Sequence, residues 1–148
     1  MRKNKYQALT LIELLVAIGI LGITISMAAT FIKFQQPNLE LSAAARDLRS
    51  TLQRARLLSL TTQINHGVLF LAAQNSYQTV RLAPSPATLN TTVLPLSVQY
   101  ITIDPFTANI ASFNAAGAAA AAGTIVLRNT QNREKRIILN PSGYVSIE

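Results

Sequence analysis

The chain has 148 residues, a net charge of +7 and no cysteine, which sets the size of about one domain and excludes disulfide bonds. Apolar residues make up 49% and charged residues only 13%, against about 25% charged residues in soluble domains. Three of the thirteen basic residues lie in the first five positions, and without them ten basic residues face six acids, a net charge of +4. This modest net charge excludes a strongly basic character for the rest of the chain. The shortage of charged residues is concentrated near the N-terminus.

The N-terminal third predicts a retained membrane helix. Arg2, Lys3 and Lys5 precede an apolar run, and no charged residue occurs from Leu14 to Ile32. This run is long enough to span a bilayer, whereas a cleavable secretory signal has an apolar region of about 7–15 residues followed by a small-residue cleavage site. No convincing site of that type precedes Phe34. Because basic residues favour the cytoplasmic side, we expect a single pass with the N-terminus in the cytoplasm and the C-terminal domain outside it.

Glu13 is an acid near the front of this apolar run, where a carboxylate in hydrocarbon costs about 2.5 kcal/mol or more. Residues four apart share a helix face, so Leu9 and Glu13 would be neighbours. A cleavage before Leu9 would create a cationic amine, and the Glu13 carboxylate is its natural counter-ion, since a buried charge is tolerable when it is paired. The alternative is a glutamate that reaches the membrane surface near a helix end and has no function.

The stretch ALTLIELLVAI, residues 8–18, resembles the class III signal of type IV prepilins and type II secretion pseudopilins. The resemblance implies removal of a leader, residues 1–8, by cleavage between Ala8 and Leu9, methylation of Leu9, and pairing of Glu13 with the N-terminal amine of a neighbouring subunit. Ala8 stands where glycine is usual in this family, and Leu9 where phenylalanine is commoner. The implied partners are other pilin or pseudopilin subunits, the prepilin peptidase/methyltransferase, an inner-membrane assembly platform and, before assembly, the lipid bilayer. The implied location is the bacterial inner membrane and then the filament.

The helical pattern is interrupted at Pro37 and resumes over Leu39–Gln63. Apolar residues recur there at alternating spacings of four and three, which predicts a stripe that packs on a domain. The stripe consists of Leu41, Ala45, Leu48, Leu52 and Ala55, and the arginines on or beside another face are Arg46, Arg49, Arg54 and Arg56. We predict one long helix over residues 9–63, kinked or loosened near Pro37, with a membrane-spanning part at about 9–34 and an amphipathic part at about 38–63.

From His66 onward the pattern changes to short strands between turn residues, which predicts a globular β domain over residues 64–148. The seven predicted strands are Gly67–Ala72, Tyr77–Leu82, Val93–Ile103, Ile110–Phe113, Thr124–Arg128, Arg136–Leu139 and Tyr144–Ile147. Pro95 inside the third run indicates an edge position or a bulge, and the turns at residues 129–132 and 140–143 predict two hairpins. The alanine-rich residues 115–123 fit either a flexible connection or a helical turn. The predicted fold class is α+β, a long N-terminal transmembrane helix followed by a small antiparallel β-sandwich.

Two further features are similar to one branch of the pilin-like proteins. Residues 52–56, LQRAR, precede a strand closely, and the tail consists of a strand, a basic hairpin, a glycine turn and a final strand. This pattern resembles the minor pseudopilin H and FimT-like minor pilins, and the resemblance implies an all-β sandwich on the helix.

No constellation of catalytic residues is found. His66 is the single histidine, the six acids are scattered, and no nucleophile motif or phosphate-binding glycine loop occurs. We therefore expect no enzymatic activity, no cofactor and no metal site.

Four basic residues gather on the predicted hairpin, with Glu134 the one acid among them: Arg128, Arg133, Lys135 and Arg136. Such a cluster is typical of contact with DNA phosphates, but charges also protect a strand edge from aggregation. FimT-like proteins linked to DNA uptake tend to carry arginines just after the last glycine, whereas Gly143 is followed here by YVSIE.

The sequence therefore predicts a minor pilin or pseudopilin, a structural subunit of a type IV pilus or type II secretion pseudopilus located at or near its tip. One alternative is a DNA-binding minor pilin for natural transformation. The other is a single-span membrane anchor that never enters a filament.

Overall fold

The computed structural model describes residues 10–148, apart from the side chains of residues 28–30. Its one long helix, α1, runs from Leu11 to Thr62 and includes Pro37. The helix ends where Gln63 adopts a left-handed backbone conformation, with φ of 55°, as is common for the residue after a helix. The chain divides between Gln36 and Pro37 into two units.

The N-terminal unit exposes its apolar side chains. From Leu11 to Phe34, the large apolar residues whose side chains are described are between 52% and 81% exposed. The hydroxyls of Thr24 and Ser26 donate to the carbonyls of Leu21 and Gly22, at 2.9 and 2.8 Å. Hydroxyls satisfied within their own helix suit an apolar environment, where an unpaired polar group is costly.

The C-terminal unit contains eight strands in two antiparallel sheets. The strands are β1 (His66–Leu71), β2 (Ser76–Arg81), β3 (Ala87–Val93), β4 (Val98–Asp104), β5 (Ile110–Phe113), β6 (Gly123–Asn129), β7 (Glu134–Leu139) and β8 (Val145–Ile147). The first sheet has the order β3-β2-β1-β5 and the second β4-β6-β7-β8. The predicted α+β class is confirmed, and the hairpins β6–β7 and β7–β8 form as predicted.

The predicted strand Val93–Ile103 is wrong as a single strand, although its second half lies in β4, which is an edge strand as Pro95 indicates. The chain forms β3 and β4 instead, separated by a turn in which the Val98 N–H donates to the Pro95 carbonyl at 2.9 Å. Proline cannot donate to a strand ladder, and this is why the run breaks. Strand β3 was missed because its sequence ATLNTTV lacks apolar alternation and it lies at an exposed sheet edge. The other six strands match their predicted bounds to within two residues.

A single buried cluster joins the helix to both sheets. The predicted stripe is confirmed, because each of its five residues is no more than 3% exposed: Leu41, Ala45, Leu48, Leu52 and Ala55. From the two sheets, Phe70 of β1 and Tyr100 of β4 meet edge to face, with ring centroids 6.1 Å apart. The amphipathic half of α1 is therefore part of the hydrophobic core of the globular unit.

The alanine-rich segment forms turns and one bridge to β5, and no helix is assigned in it. The Asn114 side chain accepts from the N–H groups of Ala116 and Ala118, both at 3.0 Å. Ala119 then donates to the Pro141 carbonyl at 3.0 Å. The segment is therefore tied to the turn between β7 and β8.

Candidate assembly and recognition sites

The start of α1 is a capped helix N-terminus. Thr10 Oγ1 accepts from the Glu13 N–H at 3.3 Å, and the Thr10 carbonyl accepts from the Leu14 N–H at 3.1 Å. The spacing Thr-x-x-Glu is that of a capping box, and a carboxylate in the first turn also opposes the positive end of the helix dipole. Glu13 therefore lies where it stabilises the helix start, a contribution that its sequence spacing to Thr10 could have revealed. Ala8 and Leu9, the predicted cleavage and methylation site, lie outside the described residues.

Helix α1 is long and apolar enough to cross a membrane by length and composition, and its most apolar window has no buried residue. No described side chain of the N-terminal unit covers this surface. Burying it in lipid, or against the same segment of other subunits, removes apolar area from water at about 25 cal/mol per Å².

Two helix arginines hold the end of the β domain. Arg49 Nε donates to the Val145 carbonyl at 3.2 Å, and Arg56 donates to the carbonyls of Gly117 and Ser142, at 2.9 and 3.2 Å. Both arginines were predicted to lie away from the apolar stripe, and both are half-buried. These guanidinium groups bind backbone carbonyls of the alanine-rich segment, of the turn between β7 and β8, and of β8.

The amphipathic part of α1 is pinned to the β6–β7 turn by a cluster of amides. Asn129, which is buried, donates from Nδ2 to Asn38 Oδ1 at 2.9 Å, and Asn38 Nδ2 donates to Gln131 Oε1 at 3.0 Å. Asn129 Oδ1 also accepts from the N–H groups of Gln131 and Arg133, at 3.0 and 2.9 Å. The sequence predicts a turn at residues 129–132 and an interruption of the helical pattern at Pro37, but no sequence pattern pairs Asn38 with that turn, some ninety residues later.

The four cations of the predicted basic hairpin do not share one surface. Arg128 is paired with Glu134, with Nε and Nη2 at 3.0 and 2.5 Å from Oε1. Lys135 lies opposite the buried Leu127 and so on the core-facing side, whereas Arg136 lies opposite Val126 on the other side. Arg133 is exposed in the turn. DNA contact by these residues stays a prediction.

His66 is buried at the start of β1, and its Nδ1 lies 2.8 Å from the Ile64 carbonyl. Its backbone N–H donates to Ser59 Oγ at 3.0 Å. The imidazole therefore contributes to the local structure where the helix leads into the first strand.

The chain resembles known proteins in two ways. Residues 3–29 match the prokaryotic N-terminal methylation motif. Its fold is similar to that of the minor pseudopilin EpsH from the type 2 secretion system of Vibrio cholerae, with a TM-score of 0.62 and 12% identity over 74% of this chain and 96% of that one. It is also similar to the type IV minor pilin FimU of Pseudomonas aeruginosa, with a TM-score of 0.60 and 16% identity over 78% of this chain and 92% of that one. No curated protein sequence matches the chain.

The methylation motif and the pilin-like fold together support the superfamily of type IV pilins and type II secretion pseudopilins. Within that class, they support a pilin-type structural subunit whose fold is that of a minor pilin or minor pseudopilin.

Proposed function

We propose that the chain is a minor pilin or pseudopilin that enters a type IV pilus or a type II secretion pseudopilus at or near the tip. It is inserted in the bacterial inner membrane with the N-terminus in the cytoplasm, cut between Ala8 and Leu9, and methylated on Leu9. It carries out no reaction of its own. Its contacts are with the neighbouring subunits, the assembly platform and the prepilin peptidase/methyltransferase.

The observation that carries this proposal is the exposed apolar helix surface ahead of a domain with its own core. The core of the globular unit is complete without residues Leu11–Phe34. This segment must therefore be covered by lipid before assembly and by other subunits afterwards. The position at the tip is supported by the likeness to a minor pseudopilin and a minor pilin.

Glu13 is proposed to make the contact that commits the subunit to a filament. Cleavage before Leu9 produces an N-terminal ammonium, and the Glu13 carboxylate of an adjacent subunit neutralises it in the apolar filament core. The same carboxylate lies in the capped first turn of its own helix. The two contributions can be separated by substitution, because glutamine suits the capping box as well as glutamate does.

The test compares three variants in cells that assemble the filament. Glu13→Gln loses the charge and keeps a side chain that suits the capping box. Glu13→Ala loses the charge and that side chain but keeps the backbone N–H that Thr10 caps, and Thr10→Ala loses the capping hydroxyl and keeps the charge. Filaments are sheared, separated from membranes by centrifugation, and the chain is quantified by immunoblotting in both fractions. We expect both Glu13 variants to reduce the filament-associated chain at least tenfold and Thr10→Ala to reduce it less than twofold.

The control is Asp104→Asn, which removes an exposed acid from the end of β4. It should leave incorporation unchanged. A chain that stays in the membrane fraction in every variant, wild type included, would instead be a single-span anchor. Equal incorporation of wild type and Glu13→Gln would refute the role of the carboxylate.

A further inference from the structure

An open groove lies between α1 and the edge of the second sheet, and none of the sites above uses it. It has a volume of ≈ 340 Å³ and is lined by Ser42, Ala45, Arg46, Lys135 and Ile147. The first three residues lie on the helix, and the other two lie on β7 and β8. The groove is within the globular unit, so its geometry belongs to a single packed body.

One wall of the groove is a strand edge. Arg136 and Glu148 exchange two backbone hydrogen bonds, at 3.0 and 2.9 Å, so hydrogen-bonded pairs alternate from there along β7–β8. Ile147 is in a non-hydrogen-bonded pair with Ile137, and its N–H and C=O therefore point away from β7. Among residues 10–148 no hydrogen bond is made to these two groups.

The helix covers only part of this edge. The Val145 carbonyl also points away from β7, and it is taken by Arg49. Ile147 lies two residues after Val145 along the strand, about 7 Å away. It faces the preceding turn of the helix, which contains Ala45 and Arg46. Arg49 therefore satisfies the strand edge at the Val145 carbonyl, whereas the N–H and C=O of Ile147 remain available to an incoming strand.

The groove is also positively charged. Arg46 is exposed, with Nε bound to the Ser42 carbonyl at 3.0 Å, and Lys135 is half-buried. Neither has a carboxylate within ion-pair distance among residues 10–148. Glu148 follows Ile147, but the alternation of side chains along the strand puts it on the other face, beside Arg136.

We propose that this groove receives an extended acidic segment of a neighbouring filament subunit. The segment pairs its backbone with the Ile147 edge of β8 and places a carboxylate between Arg46 and Lys135. A nucleic acid fits less well, since it has no peptide groups to pair with a strand edge and two cations neutralise few phosphates. The inference depends on the proposed function, because it takes the partner from the filament.

The edge can be tested separately from the charge. Ile147→Pro removes the N–H that points into the groove without removing a β7–β8 hydrogen bond, while Ile147→Ala loses a similar part of the side-chain packing and keeps the N–H. The charge is tested by the double reversal Arg46→Glu with Lys135→Glu, and the control is Arg54→Glu, an exposed arginine outside the groove.

The readout is cross-linking of the full-length chain in filament-producing cells. The chain has no cysteine, so Ser42→Cys introduces a single thiol in the groove, to which a short photoreactive maleimide is attached. We expect an adduct with another filament subunit, mapped by mass spectrometry to an acidic segment. Its yield should fall at least fivefold with Ile147→Pro and with the double reversal, and less than twofold with Ile147→Ala and Arg54→Glu.

Three results would overturn the proposal: a yield that the double reversal leaves unchanged, an adduct with nucleic acid or lipid alone, and the absence of any adduct from chains recovered in sheared filaments. The sheared-filament sample also distinguishes failure of the groove proposal from failure of the proposed function. Chains present in filaments but not cross-linked refute the groove, whereas chains absent from filaments refute the proposed function. Protease resistance of each variant shows that the domain is folded.

Discussion

Gly143 lies in the turn between β7 and β8, directly against Arg56 of the helix. Its replacement by alanine is expected to destabilise the globular unit strongly. Its φ is +79°, and a Cβ built there would collide with the Gly117 carbonyl oxygen and lie 2.8 Å from Arg56 Nε. The left-handed conformation costs alanine about 1–2 kcal/mol. Displacing one hydrogen bond from the Arg56 guanidinium costs about 1.5–3 kcal/mol more. We therefore expect Gly143→Ala to lower the free energy of unfolding by about 2.5–5 kcal/mol.

Gly117→Ala is the matched comparison. Gly117 also has a positive φ, +75°, but its Cβ would meet only the end of the Leu60 side chain, at 3.0 Å. A partly exposed leucine can rotate away, whereas the carbonyl above Gly143 is fixed backbone. The conformational cost is the same in both variants, so the difference between them measures the obstruction by the Gly117 carbonyl and Arg56. Gly117→Ala should cost about 1–2 kcal/mol.

The assay is urea unfolding of residues 37–148, which contain the complete buried cluster. Circular dichroism follows the β structure directly, and it is preferred because the chain has no tryptophan. Two results would refute the importance of the Arg56 hydrogen bonds to Gly117 and Ser142. One is a free energy of unfolding for Gly143→Ala within about 0.5 kcal/mol of the wild-type value, and the other is a value no lower than that of Gly117→Ala.

Two further outcomes follow from the buried polar groups. Burial and the hydrogen bond to Asp47 raise the pKa of Tyr77, and burial raises the pKa of Tyr100. The folded state then keeps both phenol protons where the unfolded chain loses them, so stability is full below about pH 10 and falls as the pH rises above it, by about 1.4 kcal/mol per unit for each tyrosine. Urea unfolding at pH 9–11 should show this slope, and Tyr77→Phe should reduce it; an unchanged slope would contradict the assignment. Asn129→Ala should lower the free energy of unfolding by about 2–3 kcal/mol, because it leaves the N–H groups of Gln131 and Arg133 without their acceptor. Thr130→Ala, at an exposed neighbour, should change stability by less than about 0.5 kcal/mol, and equal losses in the two variants would contradict the role given to Asn129.

The elements that carry a periodic pattern of apolar residues could be predicted from the sequence. The helix stripe from Leu41 to Ala55 was found because a surface helix buries one residue per turn of its apolar face, and all five of its members are buried. Six of the eight strands were found from short apolar runs between turns. Strand β3 was not, because an edge strand buries little and needs no apolar alternation.

The contacts between distant segments could not be predicted. Nothing in the pattern LQRAR shows that Arg56 binds carbonyls 61 and 86 residues later. Likewise, the basic hairpin read as one cluster because its residues are close in sequence, but strand alternation sends Lys135 and Arg136 to opposite faces. A correct strand register would divide them between the two faces, but this register depends on turn geometry that composition alone does not give.

The capped helix start raises the question of whether capping alone explains Glu13. A capping interaction contributes about 0.5–2 kcal/mol, and the helix dipole about 0.3–1 kcal/mol. Those terms are comparable to the cost of an acid near the membrane surface, but a charged side chain at membrane depth costs about 2.5–3.5 kcal/mol even on lenient scales. Thr10 already satisfies the Glu13 N–H through its own hydroxyl, so the capping geometry does not require a charge at position 13. Glutamine would serve the cap equally and would be cheaper to bury. The proposed pairing with the N-terminal amine of a processed neighbour accounts for a charge at this position, because a buried carboxylate is tolerable when a cation meets it in the apolar region.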